Sequence, residues 1–276
     1  MKILSSLFGL ATLTATAQVE FVPDETPRCL FTGTEQKVPI VVRNESNDAI
    51  QRQVRMRINQ LSSAVAMPLG PAREWRTLHL LPHQTAIESL TIKFPPVAAA
   101  TRFEVVWLNV ENSILGRTEF LGYPPNLLSA LKPVVERKLL GVFDPATQLK
   151  PLLKQTSMDF EDLEVGEGLA GFNGALAILF PGTNSMPRSV ELTSIIRKKA
   201  KQGVAFVWIQ NVRPDQIESA PLAYTVRVNT RTVVVAEAST VAHLAESPVS
   251  QLNLIRFAEL ALGRVSLDLP GSETSN

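Results

Sequence analysis

The chain of 276 residues is 45% hydrophobic and carries 27 basic and 26 acidic side chains, which suits two domains of ordinary size. Because these charges nearly cancel, no broad positive field would attract a nucleic-acid backbone, and we expect no nucleic-acid binding. The single cysteine, Cys29, excludes an internal disulfide.

The N-terminus has the order of a secretory signal. Lys2 precedes an apolar run from Ile3 to about Leu13, and Ala15-Thr16-Ala17 follows, which predicts a signal peptide at residues 1–17. The apolar run is too short to cross about 30 Å of hydrocarbon comfortably as a helix. We therefore expect an exported protein, periplasmic or extracellular, with no stable transmembrane segment after cleavage. An uncleaved signal would tether it to the membrane.

In residues 18–121 apolar and polar side chains alternate with a period of two, which predicts an all-β sandwich of immunoglobulin type. The stretch "QRQVRMRINQL" alternates strictly, so Val54, Met56 and Ile58 are expected on the buried face of a strand. The opposite, solvated face should carry Gln53, Arg55, Arg57 and Asn59. Further strands are expected at "KVPIVVRN", "REWRTLHLL", "AIESLTIKF", "RFEVVWLNV" and "RTEFLGY".

The segment 122–137, within "GYPPNLLSALKPVVERK", is predicted to be a linker with a short helix. Pro124-Pro125 cannot continue a sheet ladder, whereas Asn126 can cap a helix whose apolar residues recur at helical spacing.

Residues 138–265 alternate apolar strands with amphipathic helices, which predicts a three-layer α/β domain with a mostly parallel sheet. Strands are expected at "LLGVFDP", "DFEDLEV", "GALAILFPG", "VAFVWIQ", "YTVRVNT" and "RTVVVAEAS". Helices are expected at "ATQLKPLLKQ", "RSVELTSIIRKKAKQ" and "QLNLIRFAELALG". The polar tail, residues 266–276, is expected to be disordered.

In open α/β sheets the ligand crevice lies beyond the carboxyl ends of the strands. The residues expected there, and predicted to bind a ligand, are Asp144, Thr183, Asn184, Ser185, Gln210, Asn211, Glu237 and Ser239. The glycine-rich "GEGLAGFNG" matches neither a Walker loop nor a dinucleotide fingerprint, so we expect no cofactor. His79 and His83 lack further donors nearby, so we expect no metal.

The corner that follows "VAFVWI" bears on catalysis. A nucleophile at such a strand end needs a base, a group that orients the base, and small flanking residues. Gln210 and Asn211 stand there without a hydroxyl, a thiol or a flanking glycine. A non-standard hydrolase site remains an alternative, drawn from Asp144, Ser185, Glu237, Ser239 and His243.

The phrases "LLGVFDP", "DFEDLEV", "GALAILFPG" and "KKAKQGVAFVWIQ" are similar in order to the class I glutamine-amidotransferase-like fold. The resemblance covers roughly Leu139–Gly263, in the divergent form found behind an immunoglobulin-like domain in exported bacterial proteins. Catalytic members carry a Cys in a glycine-flanked elbow after the strand that corresponds to "VAFVWI", and an H-x-E pattern near the C-terminus. Here Gln210-Asn211 occupies the elbow, and "EASTVAH" has the reverse order. The resemblance therefore implies the fold without the reaction.

These observations predict an exported, non-catalytic binding or scaffold protein of the cell envelope, whose partner is another envelope protein or a small ligand. An envelope hydrolase of the amidase or esterase type is one alternative. A carbohydrate-binding module is another, and it would need an exposed aromatic platform such as Trp75 beside a groove.

Overall fold

The computed structural model describes residues 19–135, 139–165, 168–180, 189–211, 223–228 and 231–264. The predicted signal peptide, the tail and the predicted site residues Thr183, Asn184 and Ser185 lie outside these ranges. Contacts divide the chain into two compact units, one of Met1–Arg28 and Gly33–Gly122 and the other of Cys29–Thr32 and Tyr123–Asn276. Within the described ranges, no helix has the length and apolar character needed to span a bilayer.

The described residues up to 123 form β-strands without a helix. They are β1 (Val19–Phe21), β2 (Arg28–Phe31), β3 (Gln36–Asn44), β4 (Ile50–Leu61), β5 (Ala66–Pro68), β6 (Arg73–Leu80), β7 (Thr85–Ile92), β8 (Thr101–Leu108) and β9 (Ile114–Tyr123). One sheet has the order β1-β3-β7, and the other has the order β2-β9-β8-β4, with β5 and β6 both on the far edge of β4. The pairs that β3 and β4 form are antiparallel.

Strand β4 follows the predicted alternation up to residue 57, with Val54 and Met56 buried. The prediction that Asn59 lies on a solvated face is wrong, because this residue is only 5% exposed. Its side-chain amide donates to the buried Glu104 carboxylate on β8 at 3.1 Å, and Arg117 on β9 donates to the same carboxylate at 2.8 Å. A polar cluster thus replaces solvent on this part of the sheet.

The core of the first unit contains a fully buried tryptophan, Trp107 of β8. Its ring stacks on Phe21 with centroids 4.5 Å apart and lies 4.6 Å from Trp75. Its indole N–H donates to the Thr118 hydroxyl of β9 at 2.9 Å. Because a buried donor without an acceptor is costly, this hydrogen bond is what allows an indole at the centre of the core.

The second unit combines helices and strands. The helices are α1 (Leu131–Val135), α2 (Lys150–Gln155), α3 (Gly168–Gly171), α4 (Ser189–Lys201) and α5 (Pro248–Ala261). The strands are β10 (Leu140–Phe143), β11 (Glu161–Asp162), β12 (Leu176–Leu179), β13 (Ala205–Gln210), β14 (Ala223–Val228) and β15 (Arg231–Glu237). Short 3₁₀ turns cover Leu128–Ala130 and Ala238–Val241. With the strands of the first unit, these elements confirm that the fold is mixed.

The strands of the second unit form one sheet in the order β11-β10-β12-β13-β15-β14. All neighbours pair in parallel except β14 and β15, which are antiparallel. Only two residues separate β14 from β15, and a parallel pair would need a much longer crossover.

The sheet is buried on both faces. In β12, Leu176 and Ile178 belong to a core that also contains side chains of α1, α2 and α5. Ala177 and Leu179 belong to a second core that contains side chains of α3 and α4. This explains why "GALAILF" is apolar without alternation, since alternate residues of one strand face opposite sides of a sheet.

The segment 122–137, predicted as a linker with a helix, contributes to the core of the second unit. Leu128 and Leu131 are fully buried, and Val134 is 5% exposed. The backbone N–H of Leu127 donates to the side-chain carbonyl of Gln251 on α5 at 2.7 Å. The described part of this segment is therefore packed structure.

We predict that Thr118→Val lowers the free energy of unfolding by about 1–3 kcal/mol, because the Trp107 indole N–H would lose its acceptor while remaining buried. Urea denaturation followed by tryptophan fluorescence measures this change. Thr118→Ser keeps the hydroxyl and should cost clearly less. Equal losses in the two variants would contradict the assigned hydrogen bond.

Candidate functional site

The carboxyl ends of the parallel strands meet at one edge of the sheet. Gln210 of β13 lies directly opposite Glu237 of β15 in the strand register. Asp144 follows β10, and Phe180 follows β12, with the Phe180 N–H donating to the carbonyl of Phe143 at 2.8 Å. The described members of the predicted set therefore end or follow strands at this edge of the sheet.

A cavity of about 690 Å³ opens at this edge, and we call it the carboxyl-edge cleft. Its apolar wall consists of Pro151, Leu152, Phe180, Ile209, Val241 and Leu244, with four alanines beside them. Its polar groups are Thr147, Gln148, Gln155, Asn211, Ser239 and His243. The volume lies within the range of small-molecule sites, and so does the combination of an apolar lining with a few polar groups.

The cleft contains two members of the predicted set, Asn211 and Ser239, and both side chains are exposed. Gln210 and Glu237 lie at the same edge but not in the lining. Asp144 is also absent from the lining and is fully buried. Among the described residues, the strand-end rule missed Thr147, Gln148 and Gln155, because they belong to the turn and helix after the strand. Their only signal in the sequence is that they follow Asp144 closely.

The Asp144 carboxylate is used by the backbone. It accepts from the N–H groups of Gln148, Leu149 and Lys150 at 3.0, 2.7 and 3.0 Å. These are donors at the start of α2 that have no partner within the helix. Asp144 therefore caps α2 and fixes the turn that supplies Thr147 and Gln148 to the cleft, which leaves its charge unavailable to a ligand.

An ion cluster reinforces this wall of the cleft. The Lys150 ammonium donates to Asp162 at 2.8 Å and to Glu164 at 2.6 Å, and Glu164 also accepts the N–H of Asp144 at 2.8 Å. Burial alone would lower the pKa of Lys150, but its two carboxylate partners outweigh burial and raise it. The hydrogen bond from Lys150 lowers the pKa of Asp162.

The opposite wall is the loop between β15 and α5. Side chains of α5 donate hydrogen bonds to the backbone carbonyls of this loop. Ser250 donates to Ala242 at 2.5 Å, Gln251 donates to Leu244 at 2.7 Å, and Asn253 donates to Thr240 at 2.8 Å. Gln251 is completely buried. Both walls are thus held by hydrogen bonds between side chains and backbone.

The hydrolase alternative requires His243 to contact a hydroxyl and a carboxylate. Ser239 and His243 line the same cleft, but no hydrogen bond joins the imidazole to another group in the part of the chain that the structure describes. Asp144 is engaged elsewhere. Cys29 lies in β2, where burial raises the pKa of its thiol against the opposing effect of a hydrogen bond with Tyr123, which disfavours the reactive thiolate.

Two further expectations concern metals and sugars. Within the described ranges, no group of three or more His, Cys, Asp or Glu side chains is arranged to hold a metal ion. Trp75 packs against Phe21 and Trp107 and stacks with the Arg76 guanidinium, 5.1 Å from its ring centroid. Such an indole is already engaged in contacts within its own unit.

A second cavity, of about 820 Å³, lies at the opposite, amino edge of the same sheet. Its lining includes Arg231 and Arg264 and residues after the C-terminal ends of α4 and α5. Helix dipoles place partial negative charge at C-terminal ends, which accounts for cations there. Because ligands of parallel α/β sheets bind at the carboxyl edge, we take the carboxyl-edge cleft as the candidate site.

Comparisons with known proteins leave the family open. No family model matches the chain, and no curated protein matches it. Among solved structures, a β-glucosidase from Listeria innocua is similar over 40% of this chain, with 11% identity and a TM-score of 0.29. The alkylpurine DNA glycosylase AlkC from Pseudomonas fluorescens is similar over 39%, with 16% identity and a TM-score of 0.29. A Niemann-Pick type C2 protein from the Japanese carpenter ant is similar over 35%, with 10% identity and a TM-score of 0.28.

These likenesses span 17%, 31% and 78% of the three proteins' own lengths, respectively. At such low TM-scores they say nothing about the activity of this chain.

We predict that Asp144→Asn lowers the free energy of unfolding by roughly 3 kcal/mol, because an amide cannot accept all three backbone N–H groups and brings donors of its own. Urea denaturation measures the loss. Asp159→Asn, at an exposed position, is the matched control and should change stability by about 0.5 kcal/mol or less. Unchanged stability of Asp144→Asn would mean that the carboxylate is available for another role.

We also predict a pH-dependent effect of Asp162→Asn. The folded pKa of Asp162 lies below its usual value of 3.8, so the pair with Lys150 stabilises the fold above that value. That stability is lost as the pH falls through the folded pKa. Because the carboxyl is 40% exposed, the variant should lose only about 0.5–1 kcal/mol at pH 7. Urea denaturation from pH 7 down to pH 3 should show this difference shrinking, and a constant difference would contradict the ion pair.

Proposed function

We propose that this protein is an exported, non-catalytic binding or scaffold protein of the cell envelope, which takes a ligand at the carboxyl-edge cleft of its second unit. The observation that carries the proposal is the chemistry of the described lining. It combines an apolar wall with amides, hydroxyls and one imidazole, while the one carboxylate at the end of β10 is consumed by the start of α2. Such a lining can recognise a ligand, but its described residues offer no activated attacking group.

We further propose that the first unit is an immunoglobulin-like sandwich and that the second is a divergent glutamine-amidotransferase-like domain. The antiparallel pairing of β1, β3 and β7 and of β4, β8 and β9 supports the first assignment. The strand order β11-β10-β12-β13-β15 supports the second, because it corresponds to the doubly wound order 2-1-3-4-5. The sandwich would then present a surface to another envelope protein.

An envelope hydrolase is the second candidate, favoured by one observation. Ser239 and His243 lie in the same cleft on a loop that α5 fixes. Apo structures often hold catalytic groups further apart than the reacting complex does, so the two residues form a pair that can be tested directly.

The proposal predicts binding without turnover. With p-nitrophenyl acetate and γ-glutamyl-p-nitroanilide as probes, the full chain should release p-nitrophenol and p-nitroaniline no faster than its Ser239→Ala and His243→Ala variants. In a fragment screen followed by amide chemical shifts, ligands should perturb residues that line the cleft. Ser239→Trp should remove these shifts, because an indole at this exposed position would fill the opening.

Ser63→Trp is the matched control, since it places the same indole at an exposed serine of the first unit. It should leave binding unchanged. Hydrolysis that both Ser239→Ala and His243→Ala abolish would establish the hydrolase and overturn the non-catalytic proposal. Fragments that bind Ser239→Trp as well as the wild type would remove the cleft as the binding site.

A further inference from the structure

His243 has an unusual backbone conformation within the cleft. Its φ is +55°, in the left-handed region that residues other than glycine seldom adopt. The carbonyls of both its neighbours, Ala242 and Leu244, accept hydrogen bonds from α5 side chains. Its own carbonyl accepts the N–H groups of Glu246 and Ser247, each at 2.8 Å. An uncommon conformation persists where the surroundings determine it, as they do here.

The hydrogen bonds that hold this backbone do not involve the His243 imidazole. It is exposed, it belongs to the cleft lining, and it has no hydrogen-bond partner among the residues that the structure describes. The fold therefore fixes the backbone on both sides of His243 without using its side chain. A residue that binds a ligand requires this combination of a fixed backbone and an available side chain.

The other polar groups of the described lining limit the chemistry of that ligand. They are side-chain amides and hydroxyls, all of which can donate hydrogen bonds, and none is a carboxylate, ammonium or guanidinium. A charged ligand of either sign would lose its hydration here without gaining a counter-charge from the described lining. An oxygen that accepts hydrogen bonds would find donors, and an apolar tail would find the wall of Leu152, Phe180 and Ile209.

We propose that the carboxyl-edge cleft binds an acyl-type ligand, with an apolar body and an uncharged carbonyl head, and that the His243 imidazole donates to the head oxygen. This proposal rests on the proposed function and specifies the class of ligand. A carboxylate head offers the same acceptor oxygen together with an uncompensated charge, so the test compares an amide head and a carboxylate head directly.

The test titrates the full chain with three matched probes, hexanamide, hexanoate and hexylamine, and follows amide chemical shifts. Hexanamide should perturb residues around the cleft, and hexanoate should bind there more weakly. Hexylamine should not bind there. His243→Gly should weaken the favoured probe about tenfold, which corresponds to one hydrogen bond.

The thermal midpoint of His243→Gly separates ligand binding from folding. Glycine adopts a positive φ without a side-chain penalty, so this variant should be as stable as the wild type or more stable. Ser157→Gly is the matched control, because Ser157 has a φ of +52° and lies outside the cleft lining. It should leave binding unchanged.

Each result decides between the proposals. Unchanged binding by His243→Gly, a marked loss of its stability, or equal binding of hexanoate or hexylamine would overturn the role of His243 or the ligand class. If neither acyl probe binds but compounds of another class occupy the cleft, the acyl proposal is wrong and the proposed function stands. If no compound binds at the cleft, both are wrong.

Discussion

A buried carboxylate organises the carboxyl edge of the parallel sheet. A charge removed from water is tolerated only when hydrogen bonds replace its hydration, and the side chain of Asp144 obtains them from three consecutive backbone N–H groups. Helix α2 needs the carboxylate in turn, because it is only six residues long and its first N–H groups need acceptors. The position of α2, and with it one wall of the cleft, depends on this exchange.

The opposite wall is also held by hydrogen bonds between side chains and backbone, but here the side chains donate and the backbone accepts. Side chains of α5 donate to carbonyls of the β15–α5 loop, and the completely buried Gln251 links this loop to the backbone of Leu127. A loop held by its carbonyls keeps its backbone in place while its side chains stay free. The described walls of the cleft are therefore held by hydrogen bonds to their backbone, and recognition can be grafted onto such a surface.

Much of the fold could be predicted from the sequence, because burial imposes periodicity. A strand covered on both faces must be apolar throughout, as "ALAILF" is, and a half-covered strand must alternate, as β4 does up to residue 57. Asn59 breaks this rule because its partner Glu104 lies 45 positions away in the chain, and no local pattern reveals such a pair. The signal peptide, the two domain families and the exported location stay predictions.

The candidate site could be predicted only in part, for a related reason. Position at a strand end places Asn211 and Ser239 at the carboxyl edge, where both line the cleft. Position alone does not reveal how a side chain is used, so Asp144 was assigned to a ligand although its carboxylate binds backbone. The sequence offered His243 as a member of the alternative hydrolase site. The hydrogen bonds that hold the backbone on both sides of His243 come from α5, and the local sequence does not reveal them.

The chemistry of the cleft follows from where the charges are used. Asp144, Glu164, Lys150 and Asp162 neutralise one another or cap α2, behind or beside the wall that they stabilise. Charges that hold structural hydrogen bonds and ion pairs are less available to a ligand. Under the proposed function, the described lining would select a ligand by shape and hydrogen bonding. Selectivity of this kind depends on the rigidity of the donors, because a donor that must be ordered on binding loses part of its contribution as entropy. The α5 side chains fix the backbone on both sides of His243, and under the proposed function this would remove part of that cost for a ligand that the imidazole binds.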